Sequence, residues 1–456
     1  MAAMLDAVSD APIGQGGTAS NHLQIWGPSV KAPLPGGLRV AYRARCTKPF
    51  AMPQLTIRKS ASPWNPWFSA GNQSKVTGDW QTFETFLSRH DSDVPPEGEI
   101  GRYHLALGNL PTGSVFEFEL LDANAATLDQ TKLRFCDVGN IVFDHGNFKK
   151  YHRCGIKRWS LDDCKNPGDY WYDAITKRVF LRWPNNPADD CRSIELALRA
   201  PVVDEGDCHD VVFENLAVAY GAAHGFGGGN TARLTIRQCD IYYIGGGHQL
   251  TGPDGRPVRF GNGIEFWGSC RDNLVELNRL WEIYDAALTN QGNGSGPNNP
   301  SEQVNITYRK NTIWNSEYSF EYWNRDETQI TDRILFEGNL CVNAGHGWAH
   351  GQRPDPNGGH LMFYHNAAKT SRFVVRNNVF CESTEVCLRM ENDWRSGLVL
   401  DGNRWFQSEQ PLIRWLAGQS FRKHEWKRIQ DELGFEKNGL IGPLTDAESK
   451  LIQGGE

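Results

Sequence analysis

Two short motifs in the sequence pair a carboxylate with an aromatic ring. Residues 262–267 read Asn-Gly-Ile-Glu-Phe-Trp, and residues 320–324 read Phe-Glu-Tyr-Trp-Asn. The alternation of a strand turns Glu265 and Glu321 outward, each together with the Trp two positions later. An acid beside an outward indole is suited to sugar chemistry, because the apolar face of a pyranose stacks on an aromatic ring. The alternative is that each Glu is only a solvated surface side chain.

The spacing of the two motifs predicts a pair of catalytic carboxylates. If Glu265 and Glu321 lie two strands apart in a parallel stack, they are separated by about 9–10 Å. That is near the upper end of the range for an inverting glycosidase, about 6.5–9.5 Å. Asp285 falls on the repeat between them, and three neighbouring carboxylates raise the pKa of at least one, as a general acid requires. We therefore predict that Glu265, Asp285 and Glu321 are catalytic, although Asp285 could instead stabilise a turn.

Further polar residues are expected to line the same face. When positions are counted from the Asn that ends the first strand of each repeat, several polar side chains fall into common columns. The segment 345–355 is rich in imidazole and guanidinium groups that can bind sugar hydroxyls or a substrate carboxylate, or can simply pack around Trp348. No metal site is predicted, because His346 and His350 are four apart outside a helix. The predicted substrate-binding residues are Asn262, Trp267, Gln291, Tyr322, Trp323, Asn324, His346, His350, Arg353, Arg389 and Glu391.

These residues sit in a series of imperfect repeats between residues 211 and 418. Each repeat has a short strand with alternating apolar residues, a polar break and a second strand. Repeats of this size indicate a solenoid, and strands joined at Asn or Gly corners indicate a parallel β-helix. We expect each corner Asn to adopt the left-handed backbone and to hydrogen-bond to the Asn of the next repeat. An antiparallel sandwich is the alternative, but hairpin dipeptides are scarce. The breaks include Asn278, Asn311, Asn339, Asn378 and Asn403.

On this repeat pattern, residues 137–418 resemble the right-handed parallel β-helix carbohydrate-active proteins, the superfamily of pectate lyases and polygalacturonases. The resemblance is specific for the fold and says little about the activity. The phrase Val-Thr-Gly-Asp-Trp-Gln-Thr-Phe at residues 76–83 resembles the jelly-roll carbohydrate-binding modules. There, Trp64 and Trp67 could form a stacking platform or could belong to the core.

The predicted fold class is all-β, a right-handed parallel β-helix with an N-terminal β-sandwich module and a short C-terminal helical cap. The helix is predicted from Ser420 to Leu433, where apolar residues recur on one face. The remaining tail, from Gly439, is predicted to be irregular. The predicted domains are a lead-in segment 1–36, the β-sandwich module 37–136, the parallel β-helix domain 137–418, and the cap and tail 419–456.

Composition limits the partners and the compartment. The net charge of −7 argues against binding to nucleic acid or to an anionic membrane surface. No apolar stretch is long enough to span a membrane. The start of the chain lacks a signal peptide, so we expect a secreted or periplasmic protein whose leader is absent, with a cytoplasmic location as the open alternative. The 11 cysteines show no paired metal spacing.

The leading functional hypothesis is a glycoside hydrolase that acts on a polysaccharide or oligosaccharide and needs no cofactor. The alternative is a polysaccharide lyase, with a Tyr or His base and Arg or Ca²⁺ to neutralise a uronic acid. Tyr318 would be a candidate base, but three acids in the groove would repel a polyanionic substrate. A non-catalytic glycan-binding protein is the third hypothesis. The sugar, its linkage and the oligomeric state are left open.

Overall fold

A computed structural model shows a protein that is nearly all β, with 54% of the chain in strands and 9% in helices. The chain divides into two compact units, of which the first comprises Met1–Cys136, Asp173–Arg178 and Gln249–Val258, and the second the rest. The structure describes residues 4–8, 24–31, 37–51, 55–60, 66–69, 75–89, 98–106, 111, 114–125, 137–173, 178–251, 256–292, 301–416 and 418–453.

The first unit is built on antiparallel strands. The strands are β1 (Met4–Val8), β2 (Gln24–Lys31), β3 (Gly37–Cys46), β4 (Phe50–Ala51), β5 (Leu55–Lys59), β6 (Pro66–Ser69), β7 (Lys75–Val76), β8 (Gln81–Arg89), β9 (Ile100–Ala106) and β10 (Val115–Ala125). Eight of them form one sheet in the order β1-β10-β3-β8-β6-β5-β9-β2, which includes two strands, β1 and β2, from before residue 37. The other two, β4 and β7, pair with each other.

The hypothesis of a stacking platform in this unit is wrong for Trp67. Its side chain is buried in the apolar core of the sheet, and an added Cβ at Gly101 would collide with its ring. A ring enclosed in this way cannot stack on a sugar. Trp64 lies outside the described residues.

Short sheets come first in the part of the chain after residue 137. Their strands are β11 (Val138–Phe143), β12 (Ile156–Arg158), β13 (Asp169–Asp173), β14 (Arg178–Leu181) and β15 (Ile194–Leu198). Strand β11 pairs antiparallel with β15, and β12, β13 and β14 form a three-stranded sheet. Except for Asp173 and Arg178, which belong to the first unit, these strands lie in the second unit.

Two long sheets make up most of the second unit. The strands that follow β15 are β16 (Val203–Asp204), β17 (Val212–Glu214), β18 (Ala217–Ala219), β19 (Phe226–Ala232), β20 (Thr235–Arg237), β21 (Asp240–Ile244), β22 (Gly247–Thr251), β23 (Pro257–Phe260), β24 (Ile264–Arg271), β25 (Leu274–Glu276), β26 (Arg279–Ile283), β27 (Ala286–Gly292), β28 (Glu302–Arg309), β29 (Thr312–Trp314), β30 (Tyr318–Asn324), β31 (Ile330–Glu337), β32 (Leu340–Ala344), β33 (Gly359–Phe363), β34 (Lys369–Ser371), β35 (Phe373–Arg376), β36 (Val379–Ser383), β37 (Val386–Met390), β38 (Leu398–Asp401), β39 (Arg404–Phe406), β40 (Ile413–Trp415), β41 (Gln419–Phe421) and β42 (Leu440–Ile441).

The larger of the two long sheets has 17 strands: β16, β17, β19, β20, β24, β25, β27, β28, β30, β31, β33, β34, β35, β37, β38, β40 and β41. The smaller has eight: β18, β21, β26, β29, β32, β36, β39 and β42. In both, strands of successive repeats pair in parallel register, and the one antiparallel pair among the described strands of these sheets is β40 with β41. Strands β22 and β23 form a separate two-stranded sheet.

A column of buried asparagines runs between these sheets. The side-chain amide of Asn278 donates to the carboxamide oxygen of Asn311 at 3.0 Å, and the same bond is repeated through the column. The interior of a repeat is apolar, so an unpaired amide there would be costly, and each bond fixes the register of two neighbours. The column consists of Asn278, Asn311, Asn339, Asn378 and Asn403.

The expectation that these asparagines adopt the left-handed backbone is wrong. The left-handed residue is the one that precedes each Asn of the column. That residue turns the chain, whereas the Asn behind it faces the interior and forms the bonds. The left-handed residues are Leu277, Lys310, Gly338, Asn377 and Gly402, with φ between 54° and 72°.

The outer surface carries a second register device, a row of alternating charges on neighbouring strands. Arg237 pairs with Glu214, and Arg309 pairs with Glu276. Exposed pairs of this kind contribute only about 0–1 kcal/mol each. If a strand paired with the next repeat but one, however, like charges would lie opposite each other and repel. The row is Glu214, Arg237, Glu276, Arg309, Glu337, Arg376 and Asp401.

The C-terminal segment differs from its prediction. Residues 419–421 form strand β41, so the predicted helix from Ser420 is wrong at its start. The backbone N–H of Arg422 donates to the carboxylate of Glu425 at 2.9 Å, at the start of a 3₁₀ turn (Lys423–Glu425) that continues into α1 (Trp426–Arg428) and a π-helical turn (Ile429–Leu433). The tail predicted to be irregular contains helix α2 (Asp446–Gln453). Other 3₁₀ turns are Asp144–Gly146, Leu161–Asp163, Pro187–Asp189, His350–Gln352 and Arg395–Gly397. None of the helices in the described part of the chain has the length and apolar character of a membrane span.

Glu436 closes the asparagine column. Its carboxylate accepts hydrogen bonds from the side-chain amide of Asn403 at 2.7 Å and from the backbone N–H of Asn403 at 3.0 Å. Burial raises the pKa of this carboxyl to about 7, against the hydrogen bonds from Asn403, which favour the charged form. The end of the column is therefore sensitive to pH.

We predict that Glu436→Gln reduces the loss of stability between pH 4 and pH 8. A carboxyl with a raised pKa in the folded state stabilises the fold fully below its usual value of 4.5, and this stabilisation is lost as the pH rises through about 7. The gap corresponds to about 3 kcal/mol. The measurement is the free energy of unfolding in urea at both pH values. Glu409→Gln, at an exposed position, is the control, and an equal pH-dependent loss in Glu436→Gln and the wild type would refute the prediction.

Candidate active site

The parallel register places Glu265 and Glu321 in one row. Glu265 on β24 lies opposite Thr289 on β27, and Thr289 lies opposite Glu321 on β30. The two carboxylates are therefore two strands apart, about 9–10 Å along the row. The row continues through Met362 and Arg389.

Glu265 is held in its charged form by its neighbours. Its Oε2 lies 2.6 Å from Nδ1 of His224 and accepts a hydrogen bond from the Asn262 side chain at 3.2 Å. Asn262 in turn accepts from the backbone N–H of Ala286 at 3.0 Å, which fixes its side chain. Burial pushes the pKa of Glu265 upward, but the contact with His224 outweighs burial and lowers the pKa below its usual value.

The surroundings of Glu321 favour its neutral form. Its side chain is buried and has one described hydrogen-bond partner, the amide of Gln291, which donates to Oε2 at 2.7 Å. Burial raises the pKa of Glu321 well above its usual value, and the nearby charges of Asp285 and Glu265 raise it further. The pKa values of the two carboxyls in this row are thus shifted in opposite directions, which is the arrangement that separates an acid from a base.

Asp285 is paired with a buried guanidinium. Nη1 of Arg353 lies 3.1 Å from Oδ1 of Asp285 and also donates to the backbone carbonyl of Tyr284 at 3.0 Å. Burial raises the pKa of Asp285 even though Arg353 opposes the rise. The guanidinium of Arg353 lies 3.9 Å from the buried carboxylate of Glu317, which lies 3.0 Å from Nδ1 of His350.

Tyrosine rings enclose this guanidinium. Its central carbon lies 5.1 Å from the ring centre of Tyr284 and 5.4 Å from that of Tyr318. The hydroxyl of Tyr364 lies 3.4 Å from the hydroxyl of Tyr318. Burial raises the pKa of Tyr318 well above its usual value, so this phenol stays protonated at neutral pH.

Two tryptophans lie next to the carboxylate row. Trp267, Gln291 and Trp323 occupy one row two positions further along the same strands. Trp267 is 37% exposed, and its ring centre is 6.1 Å from that of Trp323. Arg325 covers one side of the Trp323 ring at 4.5 Å. The result is an aromatic surface that is partly open to solvent beside Glu265 and Glu321.

The predicted substrate contacts of Tyr322 and Asn324 are wrong. Tyr322 faces the apolar interior, where its ring packs on Phe373 and its hydroxyl lies 2.6 Å from that of Thr370. Asn324 is fully buried and donates to Gln303 at 2.8 Å. Both neighbour the outward Trp323, and alternation along β30 turns them inward.

The columns predicted for the next repeat are also wrong. His346 and His350 were expected in columns shared with residues of β30, but the register pairs β30 with β33 and puts Met362 beside Glu321, because residues 345–358 form an excursion between β32 and β33. His346 is exposed, whereas His350 reaches the cluster through Glu317. Arg389 is in the row but pairs with Glu391 at 2.7 Å.

Three site residues, His224, Glu317 and Thr289, are absent from the residues predicted from the sequence. His224 directly precedes a Gly-rich segment, and Glu317 precedes a strand without a motif of its own. Thr289 is a single hydroxyl residue in β27 with no pattern that distinguishes it. Only the three-dimensional register brings these side chains to the carboxylates.

The site brings acid and base groups together. Within the described residues, no group of three or more His, Cys, Asp or Glu side chains is arranged to hold a metal ion. Arg353 already neutralises part of the negative charge at Asp285. The row contains one carboxyl whose pKa is raised and one whose pKa is lowered, and the neighbouring row adds an aromatic surface.

Comparisons with known proteins find weak structural likenesses. No family model and no curated protein matches the chain. A solved structure described as "CBM4 structure and function" covers 25% of this chain and 78% of its own, with 19% identity and a TM-score of 0.19. The match to the catalytic domain of a GH87 alpha-1,3-glucanase in complex with nigerose covers 97% of this chain and 98% of that domain, with 8% identity and a TM-score of 0.14. At these TM-scores, the function has to be argued from the site itself.

We predict that neutralising the two glutamates has opposite effects on stability at pH 8. Glu321→Gln removes a carboxyl whose pKa is raised in the folded state and which therefore costs stability at pH 8, so the free energy of unfolding should rise by more than about 1 kcal/mol. Glu265→Gln removes a buried carboxylate from its contact with His224, so the free energy of unfolding should fall by about 1.5–3 kcal/mol. Urea unfolding of both variants tests this, and shifts in the same direction would contradict it.

Proposed function

We propose that the second unit is a right-handed parallel β-helix and that it hydrolyses glycosidic bonds of a polysaccharide or oligosaccharide at the row of Glu265 and Glu321. The observation that carries the proposal is the contrast between these carboxyls. Glu321 has a pKa raised by burial, and Glu265, two strands away, has a pKa lowered by His224. An inverting glycosidase needs this combination of a protonated acid and an ionised base.

In this mechanism Glu321 is the general acid. Its buried carboxyl donates a proton to the glycosidic oxygen as the bond to the anomeric carbon breaks. Gln291 holds the carboxyl in position through the hydrogen bond to Oε2. Burial raises the pKa of Glu321, and the negative charge of Asp285 raises it further.

Glu265 is the general base. It removes a proton from a water that attacks the anomeric carbon from the side opposite the leaving group. The separation of about 9–10 Å along the row leaves room for this water and the sugar ring. His224 and Asn262 keep Glu265 ionised and oriented.

Trp267 and Trp323 are proposed to bind the substrate by stacking on a pyranose ring. Both lie in the row next to the carboxylates, and the exposed part of Trp267 can accept the apolar face of a sugar. The first unit is proposed to be an accessory carbohydrate-binding module. A glycan substrate fits a secreted or periplasmic location.

The lyase alternative is less well supported by the site. A base is required that can lose its proton near neutral pH, but burial raises the pKa of Tyr318 well above its usual value. The guanidinium that could neutralise a uronic acid is engaged by Asp285 and lies near Glu317. A lyase would therefore have to displace an existing ion pair.

We predict that Glu321→Gln and Glu265→Gln each reduce kcat by about 10²–10⁴-fold, the loss expected when acid or base help is removed. Release of reducing ends from a panel of neutral and uronic-acid polysaccharides is the measurement. Glu302→Gln, at an exposed ion pair with Arg271, is the control.

Three outcomes would overturn this assignment. Full activity in both variants would place the chemistry elsewhere. Product that absorbs at 235 nm without water-dependent release would indicate β-elimination instead of hydrolysis. Retained binding of the same polysaccharide by a wild type without any activity would favour a glycan-binding protein.

We predict that Trp267→Ala raises KM by about threefold to tenfold, as expected for the loss of one stacking contact, and leaves the melting temperature nearly unchanged because the ring is 37% exposed. Trp267→Phe keeps an aromatic ring and should retain most of the affinity. A collapsed melting temperature with an unchanged KM would show that the indole supports the fold rather than the substrate.

A further inference from the structure

The second unit contains a cavity that includes none of the candidate active-site residues. Its volume is about 380 Å³, within the range of about 300–1,000 Å³ typical of small-molecule sites. The wall comes from a single stretch of chain at the end of β12 and the loop that follows it. The cavity is lined by Lys157, Arg158, Trp159, Asp163, Lys165 and Asn166.

The loop is held in shape by a buried carboxylate. Asp169 accepts hydrogen bonds from the backbone N–H groups of Lys165 at 3.0 Å and Asn166 at 2.8 Å, and from Nε of Arg158 at 2.9 Å. The hydroxyl of Ser160 donates to Asp163 at 2.7 Å. A wall fixed by these bonds needs little ordering when a ligand binds, which lowers the entropic cost of binding.

An exposed indole forms one side of the cavity. Trp159 is 43% exposed. The ammonium of Lys157 lies 5.0 Å from its ring centre, and the imidazole of His248 meets it edge-on at 5.2 Å. Lys157 is itself buried and paired with Asp137. The indole is thus supported from the protein side and leaves apolar surface to solvent.

The charges of the lining are nearly balanced. Lys157 is neutralised by Asp137 and Arg158 by Asp169. The remaining charged groups of the lining are the ammonium of Lys165 and the carboxylate of Asp163. These two described residues do not form an ion pair with each other. Together with the Asn166 amide, they offer donors and an acceptor without a net charge.

From these observations we infer a second saccharide-binding site, which takes a neutral pyranose. The indole of Trp159 stacks on the apolar face of the sugar, Asp163 accepts hydrogen bonds from ring hydroxyls, and Lys165 and Asn166 donate to others. Balanced charge favours a neutral sugar over an anionic one. The inference does not depend on the activity proposed for Glu265 and Glu321.

Affinity electrophoresis of the full chain tests this site. Native gels contain hydroxyethylcellulose, dextran, galactomannan or the anionic polygalacturonate as the probe. At least one neutral polymer should retard the wild type, and Trp159→Ala should weaken that retardation by about threefold to tenfold. Trp159→Phe should retain most of it, and the melting temperature should be unchanged because the indole is exposed.

The controls separate this site from the candidate active site. Trp267→Ala should keep the part of the retardation that Trp159→Ala removes, and Trp159→Ala should keep the wild-type kcat on a short soluble substrate. Failure of the proposed hydrolase activity would leave these gel results unaffected.

Three results would overturn the inference. The first is that Trp159→Ala is retarded like the wild type by every polymer, and the second is that no neutral polymer retards the wild type. The third is retardation by polygalacturonate alone that Lys165→Gln abolishes, which would show an anion site.

Discussion

The parallel pairing of each repeat with the next is the constraint on which the rest of this structure depends. Backbone hydrogen bonds space the repeats by about 4.8 Å, and the buried asparagines add a side-chain bond at each step, such as that from Asn339 to Asn378 at 3.0 Å. A side chain that faces outward in one repeat therefore faces outward in the next. The row of Glu265, Thr289 and Glu321 follows directly from this register.

Such a scaffold allows carboxylates to lie close together although their surroundings shift their pKa values in different directions. Repulsion and burial destabilise acidic side chains that lie close together, and each carboxyl of the site has different partners. Within the row, the pKa of Glu265 is lowered by its contact with His224, whereas Glu321 has only the amide of Gln291 and its pKa is raised by burial. Asp285 lies outside the row, just before β27, and pairs with Arg353. The chemical difference between Glu265 and Glu321 is therefore created by partners from outside the row.

Parts of this arrangement were predictable from the sequence, because alternation and repeat spacing are local signals. They placed Glu265 and Glu321 two strands apart, in agreement with the register, and turned Trp267 to the outside. The same method placed Tyr322 in the site, although it lies in the core. A count that slips by one position exchanges the two faces of a strand. The count started from the asparagine of each repeat, but the residue that turns the chain is the left-handed residue before it.

The partners were harder to predict because they enter through insertions of unequal length. Consecutive asparagines of the column are separated by 33, 28, 39 and 25 residues, although every step makes the same side-chain bond. The additional residues leave the stack between strands and need not disturb the pairing. The excursion at residues 345–358 brings Arg353 to Asp285 in this way. A fold whose register is fixed by its strands and buried asparagines can thus vary its loops freely, and in this protein residues between the strands, His224 and Arg353, supply the partners of Glu265 and Asp285.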